Sequence, residues 1–508
     1  MEARYLPTAG VRGSVKLPIR RPTVVVAIAV AAIGIAIFIV PRLSEVAFVV
    51  RNAQLAARVV AKDICYGRFL QGRSEADVRA SELGPYLDPR LSWARADIDE
   101  EARAVEARFL RVFRARAVQL ADGSCVFGEA VGGPGGAARQ DGLRSTGEAP
   151  DRSVSGPTDS AMSPDPAPWP AGEGLSPEAA SIVPDMAALR DAVEAEFAPT
   201  DFGTDRGTRS VLIIHRGELV YERHADGWTR HIPQNGRSMT KVVPALLAGV
   251  AAGRQSVSLA DDSLRSEWTD ARAGIRLDHL LTMRSGLSWQ EANGPGDSAE
   301  ATLMAANAAD YAASKSLEFD PGTRFRYSAG DAELALAAVL DRLTRGESAE
   351  DARGFAGLGP ETILFDALGM HSVVMDRDPS GAPIASTFMY ASATDWARLG
   401  LFLARDGVWD GQRILPEGWV AFMRSPTSES RCNYGAMIWI RGGCTDGRAA
   451  EVVELSGFMG QGVTVVPASE TIVVRTGFGP WVMGDLLDRV FDALGIEAPT
   501  RMAMEVES

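Results

Sequence analysis

The sequence predicts an α/β (α+β) fold: a mainly antiparallel sheet flanked by helices, with a helical insert, preceded by a transmembrane helix and a small helical domain. Three observations predict it. Strand signals stand at both ends of the later part of the chain with helical and loop signals between them. An uncharged apolar run, Thr23–Val40, lies near the start, and helical periodicity fills the stretch after it.

The chain has 508 residues, enough for a catalytic domain of ordinary size with something in front. Its formal charge of -14 is spread along the chain, which speaks against nucleic acid or an anionic lipid surface as the main partner. Of the 52 basic residues only Lys16, Lys62, Lys241 and Lys315 are lysines, so each lysine kept in an arginine-writing sequence needs a reason.

The run Thr23–Val40, at about 1.5 Å per residue, nearly spans a hydrocarbon core of roughly 30 Å. Arg4, Arg12, Lys16, Arg20 and Arg21 precede it, which predicts a cytoplasmic N-terminus and export of everything after Pro41. The run ends in Val40-Pro41-Arg42 with no small-x-small cleavage site, so it reads as an anchor rather than a cleaved signal. The expectation is a single-pass inner-membrane protein with a periplasmic catalytic domain. Cys65, Cys125, Cys432 and Cys444 are candidates for two local disulfides in an oxidising compartment; four buried thiols are the other reading. No C-x-x-C or Cys/His cluster suggests a metal, and no cofactor is implied.

From 45 to 130 the pattern reads as a small, mostly helical domain, with Val46, Val49, Val50, Leu55, Val59 and Val60 on one stripe and Val105, Phe109, Val112 and Phe113 on another. Residues 131–178 are rich in Gly, Pro and Ser and read as a flexible linker. The large domain is expected over 179–495, with a tail at 496–508. Val211–Ile214 and Leu219–Tyr221 predict a hairpin across a Gly-containing turn. Tyr434–Ile440, Gly462–Val466 and Thr471–Arg475 read as late strands, and about Gly484–Leu494 as the closing helix.

Ser238-Met239-Thr240-Lys241 is the only S-x-x-K in the chain. On a helix the two outer residues share a face, so the amine can reach the hydroxyl. A helix N-terminus would also favour a developing oxyanion. A base must shed its proton, which a buried lysine can do and an arginine cannot. Four lysines still give about one chance in four of such a motif by accident, so the bare pattern needs context. Pro244 conflicts mildly with a helix here, at small cost near the first turn.

Further segments follow in order: Asp278–Leu287, Pro321–Gly330 containing Tyr327, Ala393–Gly400, Asp406–Trp409, Ile414–Glu417 and Gly457–Gln461. Over roughly Ser210 to Gly477 this series resembles the serine beta-lactamase-like hydrolases. The branch it resembles holds 6-aminohexanoate-dimer hydrolases and family VIII-type carboxylesterases, related to class C beta-lactamases and D-alanyl-D-alanine carboxypeptidases. The resemblance implies a beta-lactamase/transpeptidase-like fold with Ser238 as nucleophile and Lys241 and Tyr327 as acid/base partners. It also implies an oxyanion hole from the backbone N–H groups of Ser238 and Phe458, and a pocket at Ser456, Gly457 and Ala329. Taken alone, Tyr327 reads as a half-buried core aromatic.

The chain departs from the beta-lactamase pattern in two places. Tyr327-Ser328-Ala329 stands where a Tyr-x-Asn would, and Leu455-Ser456-Gly457 where a Lys-Thr-Gly would. The missing amide and cation would engage a beta-lactam's amide and carboxylate. A neutral ester or linear amide is therefore the expected small-molecule substrate, with a peptide substrate of a cell-wall carboxypeptidase or a beta-lactam as the alternative. A different class of function, a non-catalytic peptidoglycan- or protein-binding module on the same fold, is disfavoured because Ser238, Lys241 and Tyr327 are all retained. His215, His224, His231, His279 and His371 are scattered, and no G-x-S-x-G elbow occurs, so a Ser-His-Asp arrangement is not expected. Glu267, Trp268 and Trp289 read as packing or capping groups, and Met437 and Met459 as pocket wall or core. The oligomeric state is not legible.

Overall fold

The computed structural model describes residues 52–83, 93–109, 111–127, 169–199 save 171, 173 and 176, and 206–497 save 293–295, 346–358, 443–449 and 480–482. Residues 54–508 form one unit and 1–53 another, of which only Asn52 and Ala53 are described.

The leading part of the described chain corrects the expectation of a small, mostly helical front domain. Residues 54–65 are helical, followed by a wider turn at Tyr66–Leu70 and a short helix at Glu75–Ser81 capped by Ser74 and Asp77. The remainder is an antiparallel sheet of β1 (Arg95–Asp99), β2 (Ala104–Phe109), β3 (Phe113–Gln119) and β4 (Cys125–Phe127) in that order. Val105 and Phe109 are four apart, which suits one helix face, but Ala107 between them is buried too. The i, i+2, i+4 set is the period of a strand. Cys65 and Cys125 form a disulfide that ties the helical half to the end of this sheet. Cys432 is disulfide-bonded as well, and Cys444 lies outside the described residues.

The expectation of a membrane anchor, and with it the inner-membrane, periplasmic placement, is also corrected. Among the described residues no helix is long and apolar enough to cross a membrane. The run Thr23–Val40 on which that expectation stood lies outside them.

The leading segment docks through buried charges. Lys62 and Tyr66 both bond Asp376, the latter at 2.6 Å, and the Tyr66 ring stacks on Tyr390 at 4.1 Å. Glu82 pairs with Arg209, with Arg73 at 3.0 Å and with Arg237 at 3.9 Å.

The main sheet begins with β5 (Thr208–His215) and β6 (Glu218–His224), joined through Arg216 and Gly217, both at positive φ (52° and 76°). That pair of left-handed residues gives the tight two-residue hairpin. A small sheet follows, ordered β7 (Gln234–Asn235), β9, β8, where β8 is Val374–Met375 and β9 is Met389–Ala391. β10 (Val408–Trp409) and β11 (Gln412–Arg413) form a short surface hairpin. β12 (Trp439–Arg441), β13 (Val452–Gly457), β14 (Gln461–Val466) and β15 (Thr471–Gly477) complete the main sheet in the order β12-β13-β14-β15-β5-β6, all pairs antiparallel. The strand expected at Tyr434–Ile440 is shorter, because Met437 at φ 59° turns the chain and leaves Tyr434 as an isolated bridge to Trp439.

Every residue of β5 is buried, and its two faces feed two cores. Leu212 and Ile214 pack with the helices Val242–Gly253, Ala329–Arg345 and Ala393–Ala404. Val211 and Ile213 pack with Met186–Phe197 and Met483–Leu494. Helices therefore cover both faces of a sheet completed from chain ends more than 200 residues apart, and the insert between them carries the site.

Candidate active site

Ser238 lies in a 3-10 turn, Arg237–Lys241, and the α-helix Val242–Gly253 starts only after it. Pro244, third in that helix, has no N–H to give the Thr240 carbonyl, which favours tighter winding upstream. In a 3-10 turn residues i and i+3 eclipse, so Lys241 stands over Ser238 more directly than an α-helix would place it. The Lys241 Nζ is 3.1 Å from Ser238 Oγ.

Three further segments close on this turn. The Gly236 N–H bonds the Met389 carbonyl of β9 at 2.8 Å, and Asn235 Oδ1 accepts from the Arg237 N–H at 2.8 Å, supporting Arg237 at φ 51°. A Cβ on Gly236 would meet Trp396 at 2.3 Å, and one on Gly457 would meet the Gly236 carbonyl oxygen at 2.3 Å. This mutual approach sets the end of β13 against the nucleophile turn, with half-buried Ser456 and Phe458 on either side of Gly457. Phe458 packs edge-on against Phe478 at 6.2 Å.

Lys241 is 2% exposed. Its Nζ also reaches the Ser386 carbonyl at 3.1 Å and Glu291 Oε1 at 3.5 Å, and lies 4.8 Å from the Tyr327 ring centre. Burial by itself would lower its pKa. The combined pull of Tyr327, Glu291 and Glu333 wins, and the pKa stands above the ordinary lysine value.

Half-buried Tyr327 belongs to an aromatic wall, tilted against Trp439 at 5.2 Å and edge-on to Tyr434 at 5.8 Å. Ala329, expected in the pocket, is 1% exposed, and it contributes through its backbone N–H, which donates to Glu291 Oε2 at 2.8 Å. Behind Lys241, Glu333 accepts from the backbone of Ala385 (2.9 Å) and Ser386 (3.0 Å) and from the Ser386 hydroxyl (2.6 Å), so it braces the loop whose carbonyl holds the lysine. Desolvation pushes its carboxyl up to about 7.

The structure thus brings together Ser238, Lys241, Tyr327, Ser456, Gly457 and Phe458, which the sequence singles out, and adds Glu291 and Glu333, which it does not. Trp289 is core, yet its indole N–H donates to Glu291 at 2.7 Å, so the spacing Trp289-x-Glu291 was the available signal. His279 packs beneath Gly322, with Nδ1 accepting from the Arg276 N–H, and His215 bonds Thr471. Met437 is core. Among the described residues no cluster of His, Cys, Asp and Glu is arranged to hold a metal. A hydroxyl 3.1 Å from a buried lysine amine, with a tyrosine ring 4.8 Å from that amine, has the groups that nucleophilic attack on an acyl carbon requires.

The sequence profile described as beta-lactamase matches residues 150–477. Among solved structures, a protein described as a 6-aminohexanoate-dimer hydrolase from Bacillus anthracis is 18% identical, with a TM-score of 0.48, over 58% of this chain and 81% of its own. A family VIII carboxylesterase is 14% identical, with a TM-score of 0.46, over 63% of this chain and 99% of its own. A penicillin binding protein from Bacillus halodurans is 18% identical, with a TM-score of 0.44, over 60% and 98%. Among curated proteins none matches.

Proposed function

Since the chain belongs to the beta-lactamase family, we propose that it is a serine hydrolase that cleaves an ester or linear amide through an acyl-enzyme on Ser238. The observation that carries this reading is the 3.1 Å contact between Lys241 Nζ and Ser238 Oγ in a turn that leaves Ser238 half-exposed.

With its pKa raised above the ordinary lysine value, Lys241 serves as the local cation, and the proton of Ser238 passes to Tyr327. The seryl oxygen bonds the acyl carbon, and the carbonyl oxygen becomes an oxyanion held by the backbone N–H groups of Ser238 and Phe458. Tyr327 returns the proton to the leaving alcohol or amine as the bond to carbon breaks. Water then attacks the acyl-enzyme by the reverse path. The substrate argument rests on what lines β13. Leu455 is core and Ser456 is neutral, so a substrate carboxylate finds no motif cation there, and Ala329 supplies no side-chain amide. Neutral acyl compounds fit this lining better than beta-lactams.

A fluorophosphonate probe labels the wild-type chain and not Ser238→Ala. In a panel of p-nitrophenyl acyl esters, nitrocefin and a D-alanyl-D-alanine peptide, the esters turn over fastest. Absence of labelling under conditions that label a control serine hydrolase would refute the enzyme reading; rapid nitrocefin hydrolysis would refute the substrate argument alone.

A further inference from the structure

We propose that Glu291 is a positioning residue for this reaction, the counter-ion that keeps Lys241 charged and fixes its ammonium between Ser238 and Tyr327. The inference rests on the serine-hydrolase reading and deepens it.

The first argument concerns contact. Ser238 Oγ and the Ser386 carbonyl each lie 3.1 Å from Lys241 Nζ, and Glu291 Oε1 lies 3.5 Å away, so a carboxylate stands in ion-pair contact with the amine that touches the nucleophile.

The second argument concerns aim. Oε2 of Glu291 takes the Trp289 indole N–H at 2.7 Å and the Ala329 backbone N–H at 2.8 Å. These donors come from two different segments, and together they fix the carboxylate plane and leave Oε1 directed at Lys241. A carboxylate held by two donors is preorganised, so it supplies charge without having to reorient during the reaction.

The third argument compares the charges that face Lys241, which are Tyr327, Glu291 and Glu333. Tyr434 stands behind Tyr327, and Asp331 couples to Glu291 from the start of the helix Ala329–Arg345. Glu333 is fully enclosed and committed to the 385–386 backbone. Glu291 keeps 26% of its side chain open to the cleft and touches the ammonium itself. It is therefore the carboxylate in direct contact with the amine at the edge of the cleft. With this carboxylate beside it, Lys241 acts as the cation of the site and Tyr327 takes the Ser238 proton.

The test is the pH profile of kcat/KM for p-nitrophenyl acetate with the full chain, for wild type, Glu291→Gln and Glu291→Asp. Removing the anion lowers the pH at which the ammonium is lost, so in Glu291→Gln the alkaline limb moves down by about one unit or more. The value of kcat at pH 8 falls roughly tenfold with KM little changed. Glu291→Asp, which keeps the charge, recovers part of both and guards against a folding defect in the first variant. An unchanged profile in Glu291→Gln, or a faster reaction at neutral pH as a freed lysine becomes the base, overturns the proposal. Fluorophosphonate labelling separates the two levels: if wild type is labelled at Ser238 and the profiles coincide, only the role of Glu291 falls. If wild type is not labelled, both fall.

Discussion

Lys62 of the leading segment and Asp376, next to β8, form an ion pair whose side chains are 1% and 0% exposed. A pair so enclosed contributes little net stability when both charges are present, but losing one partner strands the other. Lys62→Met is expected to destabilise the protein by about 3–5 kcal/mol. Pairing it with Asp376→Leu should recover most of the loss. Urea denaturation of the single and double variants measures both, and a single-variant loss below about 1 kcal/mol would contradict this account.

Gly457 admits no side chain. Its Cβ would fall on a backbone oxygen, that of Gly236, which has no rotamer to escape through. Gly457→Ala should cost about 1–3 kcal/mol in stability. The displaced β13 end should reduce kcat about a hundredfold, because the amide of Phe458 moves with it. Thermal melts and steady-state kinetics read the two effects separately.

Stability should fall as pH rises from about 4.5 to about 7. Desolvation raises Asp331 and Glu333 to about 7 and Asp63 to about 6, against ordinary values of 3.8, 4.5 and 3.8. In that window the folded chain holds protons that the unfolded chain has released, so the unfolding free energy decreases with pH. The contribution of these groups is complete below the unfolded values and is gone above the folded ones. Glu333→Gln should flatten the slope in denaturation series at pH 5, 6, 7 and 8; a slope of opposite sign in the wild type would rule the account out.

The Cys65–Cys125 disulfide closes a loop with a sequence separation of 60. Chain entropy assigns such a cross-link about 4 kcal/mol. Cys65→Ala/Cys125→Ala should lose a comparable amount in chemical denaturation, and the wild type should melt earlier in reductant.

How far the sequence could be read follows from what each pattern encodes. The β5–β6 and β14–β15 hairpins were legible because β-branched runs flank short turns, and Ser238, Lys241 and Tyr327 because their motifs are local. The front sheet was misread because Val105 and Phe109 satisfy a helical and a strand period alike. The surroundings that raise the pKa of Lys241 depend on tertiary neighbours: Glu291 lies 50 positions on, and Ser386, whose carbonyl the amine reaches, more than a hundred. Trp289 looked like packing and is packing, but the polar end of its ring, which fixes Glu291, leaves no trace in an apolar pattern.

The carboxylate of Glu82 has a consequence for ancestry. It answers Arg237, the neighbour of the nucleophile, and Arg209 of β5, so the hydrolytic half and the leading segment share one set of balanced charges. Recombination through the Gly- and Pro-rich stretch would hand a recipient gene two guanidinium groups without their acid. Without the leading segment, Arg237 and Arg209 would lose the carboxylate that now faces them, so the charge beside the nucleophile turn is balanced from outside the hydrolytic half.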